Sequence, residues 1–278
     1  STFEMMLPAG KPIVLLSTAE LGYSAEHVLT NSTMTDLAGR KIQHSTIEVH
    51  RTRVLEDILE ETAQVTNYND FAVDLELVFR FAADFADIFI VRGYQPEHQG
   101  KRHPPDWKHD AIRLAYEGTD GRTRQTVLTF TPRPASVETG DETATVTFRV
   151  SLGPRQHSAI RIVATLDGRL ESAPRVARFA IVAREYDAWL RGATRIESDN
   201  AFFDAVMRRS LSDIRMLWNH NRGTGGYPAA GTPWFDTLFG RDTCIVGLQT
   251  LSLKPDIARH CLATLARWQG AKFDSWRD

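Results

Sequence analysis

The residue types and spacings best suited to chemistry fall in one short segment: Tyr227-Pro228-Ala229-Ala230-Gly231-Thr232-Pro233-Trp234-Phe235-Asp236-Thr237-Leu238-Phe239-Gly240-Arg241-Asp242-Thr243. Its prolines and glycines predict a rigid turn, walled by aromatic rings. Trp234 and Phe235 make a shelf for the C–H faces of a polyhydroxylated ring such as a sugar. Arg241 and Asp242 are suited to chelate the hydroxyls of such a ring. A plainer reading is a loop that leads into a helix, with Asp242 as its cap and Arg241 in a structural ion pair. Residue types alone leave both readings open.

Other candidate groups are weaker. Asp84 and Asp87 invite a metal or acid/base reading, yet hard cations need more oxygen ligands than two carboxylates. A strand end or bulge with structural hydrogen bonds is the better expectation there. Glu97-His98-Gln99-Gly100-Lys101-Arg102-His103-Pro104-Pro105 is polar and turn-rich and reads as a mobile loop. Gly223-Thr224-Gly225-Gly226 lacks the Lys-Ser/Thr of a phosphate loop and reads as a flexible lead into Tyr227, with a lid role open. His220 and His260 are read as a surface or core histidine each. Cys244 and Cys261 match no zinc spacing and are expected to be small buried hydrophobes. No metal site is indicated, no cofactor is implied, and no serine sits in a nucleophile-elbow context. Cleavage of a glycosidic bond needs two carboxyls flanking that bond. The aromatic turn offers Asp236 and Asp242, and Asp242 beside Arg241 suits a hydroxyl acceptor rather than a proton donor. The residues therefore outline a sugar-binding half-site, with no catalytic residue identifiable in the chain.

These groups must be positioned by two kinds of element. From Phe71 to Phe81 every second residue is apolar (Phe71, Val73, Leu75, Leu77, Phe79, Phe81), the period of a strand with one buried face. The alternation recurs in Val146, Phe148, Val150 and Leu152, then in Ile160, Ile162, Ala164 and Leu166. Asn67-Tyr68-Asn69-Asp70 predicts a turn and Asp120-Gly121 a tight hairpin. Many short strands without interleaved helices predict an antiparallel β-sandwich over residues 1–172. The period then changes. Ser198-Asp199-Asn200 offers N-caps for a helix whose apolar stripe runs through Phe203, Val206, Met207, Leu211, Ile214, Leu217 and Trp218. A second helix is expected after Asp242, and a third from Pro255 to Gly270. Residues 173–197 are expected to be a linker, with a helix over Glu185–Arg191. Residues 198–278 are expected to be the start of a helical domain.

Composition bounds the partners. The chain has 278 residues, 42% hydrophobic and 24% charged, with a net charge of −2 and no basic block. A nucleic-acid partner is not expected. Nor is a membrane one, because no apolar run approaches the ~18–20 residues of a span. With no visible secretory signal and only two cysteines, a reducing, cytoplasmic compartment is expected. The chain opens at Ser1 and reads as an internal or processed piece. Oligomeric state is not legible.

Several of these segments together resemble the bacterial amylo-α-1,6-glucosidase (glycogen-debranching-enzyme type) family. They are Tyr227 to Phe235, Phe239-Gly240-Arg241-Asp242-Thr243, Leu248-Gln249-Thr250-Leu251, Pro255-Asp256-Ile257-Ala258-Arg259 and Gln269-Gly270. Upstream, Asp84-Phe85-Ala86-Asp87-Ile88-Phe89-Ile90-Val91-Arg92-Gly93 is similar to a hallmark of that family's N-terminal β-domain. Ser198-Asp199-Asn200 and Ser210 to Arg215 are similar to its first barrel helix. The resemblance implies a fold of β + α type, an N-terminal antiparallel β-sandwich followed by the first helices of an (α/α)6 barrel related to glucoamylase-like glycosidases. It implies an α-glucan or oligosaccharide substrate and hydrolysis of α-1,6-glucosidic links with inversion, the two carboxyls being ~6.5–9.5 Å apart. Trp234, with Phe235 beside it, would be the stacking wall of a terminal-glucose subsite, and Arg241 and Asp242 would grip its hydroxyls. The family's general acid and base lie in later barrel loops, past Asp278. A non-catalytic carbohydrate-binding or assembly module, or a related glycosidase of other linkage preference, is the alternative.

Overall fold

A computed structural model describes residues 1–95, 97–166 and 178–272. The expected linker therefore lies partly, and the terminal Phe273–Asp278 wholly, outside the described residues. The chain forms two compact units, Ser1–Phe179 and Ala180–Asp278.

The strands of the first unit begin with β1 (Thr2–Met6), β2 (Ile13–Thr18), β3 (Ser24–Thr30), β4 (Met34–Thr35), β5 (Lys41–Ile42), β6 (Ile47–Leu55), β7 (Leu59–Asn67) and β8 (Val73–Ala82). A one-turn helix α1 (Ile88–Val91) precedes β9 (Lys101–Lys108), β10 (Ala111–Glu117), β11 (Thr123–Thr131), β12 (Ser136–Thr139), β13 (Ala144–Leu152) and β14 (His157–Leu166). They build a four-stranded sheet in the order β1-β8-β13-β12 and an eight-stranded sheet in the order β2-β3-β6-β7-β14-β11-β10-β9. Every pairing is antiparallel.

The two sheets face each other across one core, as the alternation demands. Val73, Leu75, Leu77, Phe79 and Phe81 of β8 and Val146, Phe148, Val150 and Leu152 of β13 are buried. They pack in the same cluster as Ile47, Val49, Ala63, Val65, Ile160 and Ile162 of the larger sheet. Phe79 stands perpendicular to Phe148 at 5.8 Å, the edge-to-face geometry that aromatic quadrupoles favour.

Two polar devices close this sandwich. Glu61 of β7 is fully buried, and its carboxylate accepts from Arg51 Nε at 2.8 Å and from Arg53 Nε and Nη2 at 2.8 and 2.5 Å. The Phe3 ring lies 4.6 Å from the Arg53 guanidinium. Asn67, also fully buried, sits where the chain leaves the larger sheet for β8. Its side-chain amide reaches the carbonyls of Phe71 at 2.8 Å and of Leu152 and Gly153 at 3.1 Å, where the chain returns from β13 to β14.

One sequence expectation fails in this unit. Residues Lys101–Pro105, expected to be mobile loop, open strand β9, which is paired to β10. Pro104 and Pro105 are tolerated because they fall where the register against β10 shifts, between the His103–Ala115 and Asp106–Arg113 pairs, on an edge strand whose other side needs no N–H donors.

The unit boundary falls within helix α2 (Arg178–Arg191). The second unit continues with α3 (Ala201–Met216), the two-residue strands β15 (Trp218–Asn219) and β16 (Tyr227–Pro228), α4 (Gly240–Gln249) and α5 (Pro255–Arg267). Asn200 caps α3 by accepting from the amides of Phe202 and Phe203. Pro255 occupies the first turn of α5, where its missing N–H costs nothing. Trp218, Ile257 and Cys261 are the centre of a small core with Trp189, Ile214 and Val246 packed on it. Helix α3 ends at Met216, so Trp218, expected to continue its stripe, lies in β15 instead, and the stripe is buried only in part, Leu211 being covered while Phe203 and Val206 are exposed. Its C-terminal half finds the α2 and α5 side chains, and its N-terminal half finds no such cover among the described residues. No described helix is long and apolar enough to cross a membrane.

Candidate functional site

The aromatic turn is held by a pinned frame. Strand β15 pairs with β16, so Trp218 faces Pro228 and Asn219 faces Tyr227. The Gly223–Gly226 segment joins them, and it is a fitted turn rather than a loose lead. Gly225 has φ +92°, and a Cβ there would meet the His260 ring at 2.5 Å. At Gly226, φ +137°, a Cβ would lie 2.3 Å from the Asn219 carbonyl. The buried Thr264 hydroxyl lies 3.1 Å from the Gly226 carbonyl and 2.9 Å from the Thr224 hydroxyl, and Arg267 donates to the Arg222 carbonyl at 2.9 Å. Only glycine fits the two tight positions, which a reading by composition mistakes for flexibility.

The Ala229 amide then bonds the Leu217 carbonyl at 2.7 Å, and Phe235 N–H closes a tight bridge onto Gly231 at 2.7 Å. Within this bridge Trp234 and Phe235 stay exposed, at 40% and 49%. Phe235 and Phe239 meet edge to face at 6.0 Å. Asp236 accepts from Asn219 Nδ2 at 3.0 Å, which ties the turn to the β15 strand. Burial, together with the Asp236 charge, pushes the Tyr227 phenol above its ordinary range.

Helix α4 begins earlier than the sequence suggested. Phe239 is its N-cap and makes no side-chain cap bond, so Gly240, Arg241 and Asp242 form the first turn. Asp242 is therefore not the cap. It lies inside the turn, where a carboxylate complements the positive helix end. Arg241 is exposed and Asp242 half-buried. Among the described residues neither takes part in an ion pair or a side-chain hydrogen bond. Adjacent helical residues project roughly 100° apart, so the two groups address different directions from one helix end. The turn thus presents rings, a guanidinium, a carboxylate and uncapped amides on an open surface. A cavity of about 450 Å³ in the same unit, lined by Leu190, Met207, Leu211 and Leu253 among others, shares no residue with it.

Residues 1–163 match the family described as the N-terminal domain of (some) glycogen debranching enzymes. The chain belongs to that family. Among solved structures, a putative kojibiose phosphorylase from the human microbiome aligns with a TM-score of 0.65 at 11% identity, over 94% of this chain and 37% of that one. At that identity the likeness is one of fold, and the chain spans little more than a third of that protein's length. A putative aldose 1-epimerase from Escherichia coli K12 (10% identity, 57% of this chain and 69% of that one, TM-score 0.30) aligns far less well. So does a galactose mutarotase-like protein from Clostridium acetobutylicum (10%, 57% and 67%, TM-score 0.33). No curated protein matches the chain in sequence.

Within the glycogen-debranching N-terminal domain, the Asp84–Gly93 segment is structural. Asp84 accepts from the Ser1 hydroxyl at 2.9 Å and from the Ala86 amide at 3.2 Å. Asp87 caps α1 by accepting from the amides of Phe89 and Ile90 at 2.9 Å each. Among the described residues no three His, Cys, Asp or Glu side chains gather as a metal site. The cysteines divide: Cys261 is buried as expected, and Cys244, on the outer side of α4, is exposed. The aromatic turn itself lies outside the residues the family match covers. Residue types alone missed the Asn219–Asp236 tie and the Tyr227 phenol, whose only sequence signal is closeness to the turn.

Proposed function

We propose that this chain belongs to a glycoside hydrolase of glycogen-debranching type that cleaves α-1,6-glucosidic links in glycogen or related α-glucans with inversion. Residues 198–278 are the first helices of its (α/α)6 catalytic domain, and residues 1–172 its β-sandwich. The turn at 227–243 is the terminal-glucose subsite: Trp234 and Phe235 stack on the sugar, while Arg241 and Asp242 bond its hydroxyls. The observation that carries this reading is the helix end at Gly240–Asp242. Its charged pair has no structural task among the described residues, and exposed rings stand on a pinned frame just before it. A guanidinium and a carboxylate held on a fixed helix end without a protein partner are groups that a ligand can engage. General acid and base are not assigned to this chain, whose part is substrate holding.

Titration of the chain with panose and with isomaltose, followed by calorimetry, tests the subsite. Binding should weaken about tenfold or more in Trp234→Ala, the loss of a stacking contact of roughly 1.5 kcal/mol. Arg241→Ala should weaken it comparably. Equal affinity in wild type and Trp234→Ala would refute the assignment. Glucose release from a branched limit dextrin by the longer parent protein tests the linkage, and its absence in a folded parent would refute that part.

A further inference from the structure

The stacking rings and the charged helix end of the aromatic turn are joined by a stretch whose backbone bonds are local. Between Ala229, anchored to the Leu217 carbonyl, and Gly240, the first residue of α4, Phe235 N–H bonds to Gly231 and Thr237 N–H to Phe235. Bonds of that kind fix the shape of the stretch and leave its place to be set by side chains. Asp236 lies midway, two residues past Trp234 and five before Arg241. Its carboxylate accepts from Asn219 Nδ2 at 3.0 Å, a contact that spans 17 residues of sequence. Asn219 is the fixed side of this bond. It pairs with Tyr227 across β15 and β16, and its carbonyl stands against Gly226, whose own carbonyl accepts from buried Thr264 of α5. The Asp236 charge is, after burial, the second cause of the raised Tyr227 phenol, so the carboxylate sits beside the Asn219–Tyr227 pair.

We infer that Asn219 is a positioning residue for the sugar subsite: through Asp236 it sets the spacing between the Trp234 and Phe235 rings and the Arg241–Asp242 helix end. The inference rests on the terminal-glucose reading of the turn and adds to it a residue that acts at one remove. A ligand met by rings on one side and by charged groups on the other binds more tightly when the two are already set than when binding must order them. An amide donating to a carboxylate is a charge-assisted bond, the stronger kind. Among the described residues Asp236 is in no ion pair, so the neutral amide is what directs it.

Calorimetric titration of the chain with panose, beside amide hydrogen exchange, tests the role. Asn219→Ala should weaken binding about five- to tenfold and speed exchange across residues 230–239. Asn219→Asp sets carboxylate against carboxylate and should weaken binding further. Asn219→Asp combined with Asp236→Asn exchanges donor and acceptor, keeps the bond, and should return affinity to within about twofold of wild type. A merely structural bond predicts no such recovery of affinity, because the sugar would not read the position of Asp236. Equal panose affinity in wild type and Asn219→Ala, unchanged exchange across 230–239, or a double variant no better than Asn219→Asp would each overturn the inference and leave the subsite reading standing. A wild type that binds no panose would overturn the subsite reading and the inference with it. The exchanged pair retains the bond, so it decides the matter even where Asn219→Ala fails to fold.

Discussion

Replacing Glu61 with glutamine tests whether the buried charge cluster holds the sandwich. In the native arrangement one carboxylate oxygen faces Arg51 and the other faces Arg53, and Glu61 itself is fully buried. Glutamine keeps the shape but turns its NH2 toward a guanidinium, donor against donor, and leaves two clustered cations without their counter-charge. Breaking a buried ion pair by removing one partner costs about 3–5 kcal/mol. The Arg51 and Arg53 side chains are 12% and 29% exposed, so water relieves part of the loss and places the expectation near the lower end, about 3 kcal/mol. With a urea m-value of about 2–3 kcal/mol/M, that is a midpoint shift of about 1–1.5 M. Urea unfolding followed by circular dichroism in the β-sheet band reads it directly. The loss should persist in high salt, since buried pairs are screened little. A shift below about 1 kcal/mol, the range of exposed pairs, would refute the view that this cluster is an essential part of the core. Replacing all three residues by apolar side chains of similar volume should recover most of the loss, because no desolvated charge then remains.

Two further tests concern the helical unit. Gly225→Ala forces a Cβ against the His260 ring at positive φ and should destabilise that unit by more than about 1 kcal/mol, whereas Gly231→Ala, with open space around its Cβ position, should change little. Comparative urea unfolding of the two variants checks this. Burial, with a smaller contribution from Cys244, pushes the Cys261 thiol up to about 11, so native chain at pH 8 should take up one equivalent of a thiol reagent at exposed Cys244 and a second only after unfolding. The same raised value means that Cys261 supports the fold fully below about pH 9, where the unfolded thiol is still protonated, and progressively less as pH climbs toward 11.

How far the sequence revealed this molecule depended on whether a residue's task is local. The alternation through β8 and β13 is a one-strand property, and those positions are buried as read. Asn200 and Pro255 act within a single helical turn and marked the starts of α3 and α5. Strand β9 was illegible because an edge strand need satisfy only one side of its backbone, so its prolines and charges imitate a loop. Arg51, Arg53 and Glu61 point inward only by virtue of a pairing between β6 and β7 that no local pattern records. The glycines before Tyr227 looked flexible because the His260 ring and Asn219 carbonyl that constrain them are distant in sequence or hidden in backbone. In the turn, aromatic and charged residues were legible by type. The start of α4 at Gly240 was not, since Phe239 caps without a side-chain bond.

The Asn67 amide has a consequence for where this sandwich accepts changes of length. It binds the connection from β7 to β8 and the connection from β13 to β14 with one side chain, so the two crossovers between sheets share a fixed spacing. An inserted residue at either crossover would detach the other as well, and chain-length variation is barred from both at once. The Gly118–Arg122 hairpin is tied to its own strands, by Asp120 bonds to the Arg122 amide and to Arg124, so a change of length there loosens the turn without detaching another connection. The places where this domain can be lengthened, tagged or cut are therefore dictated by a single buried asparagine.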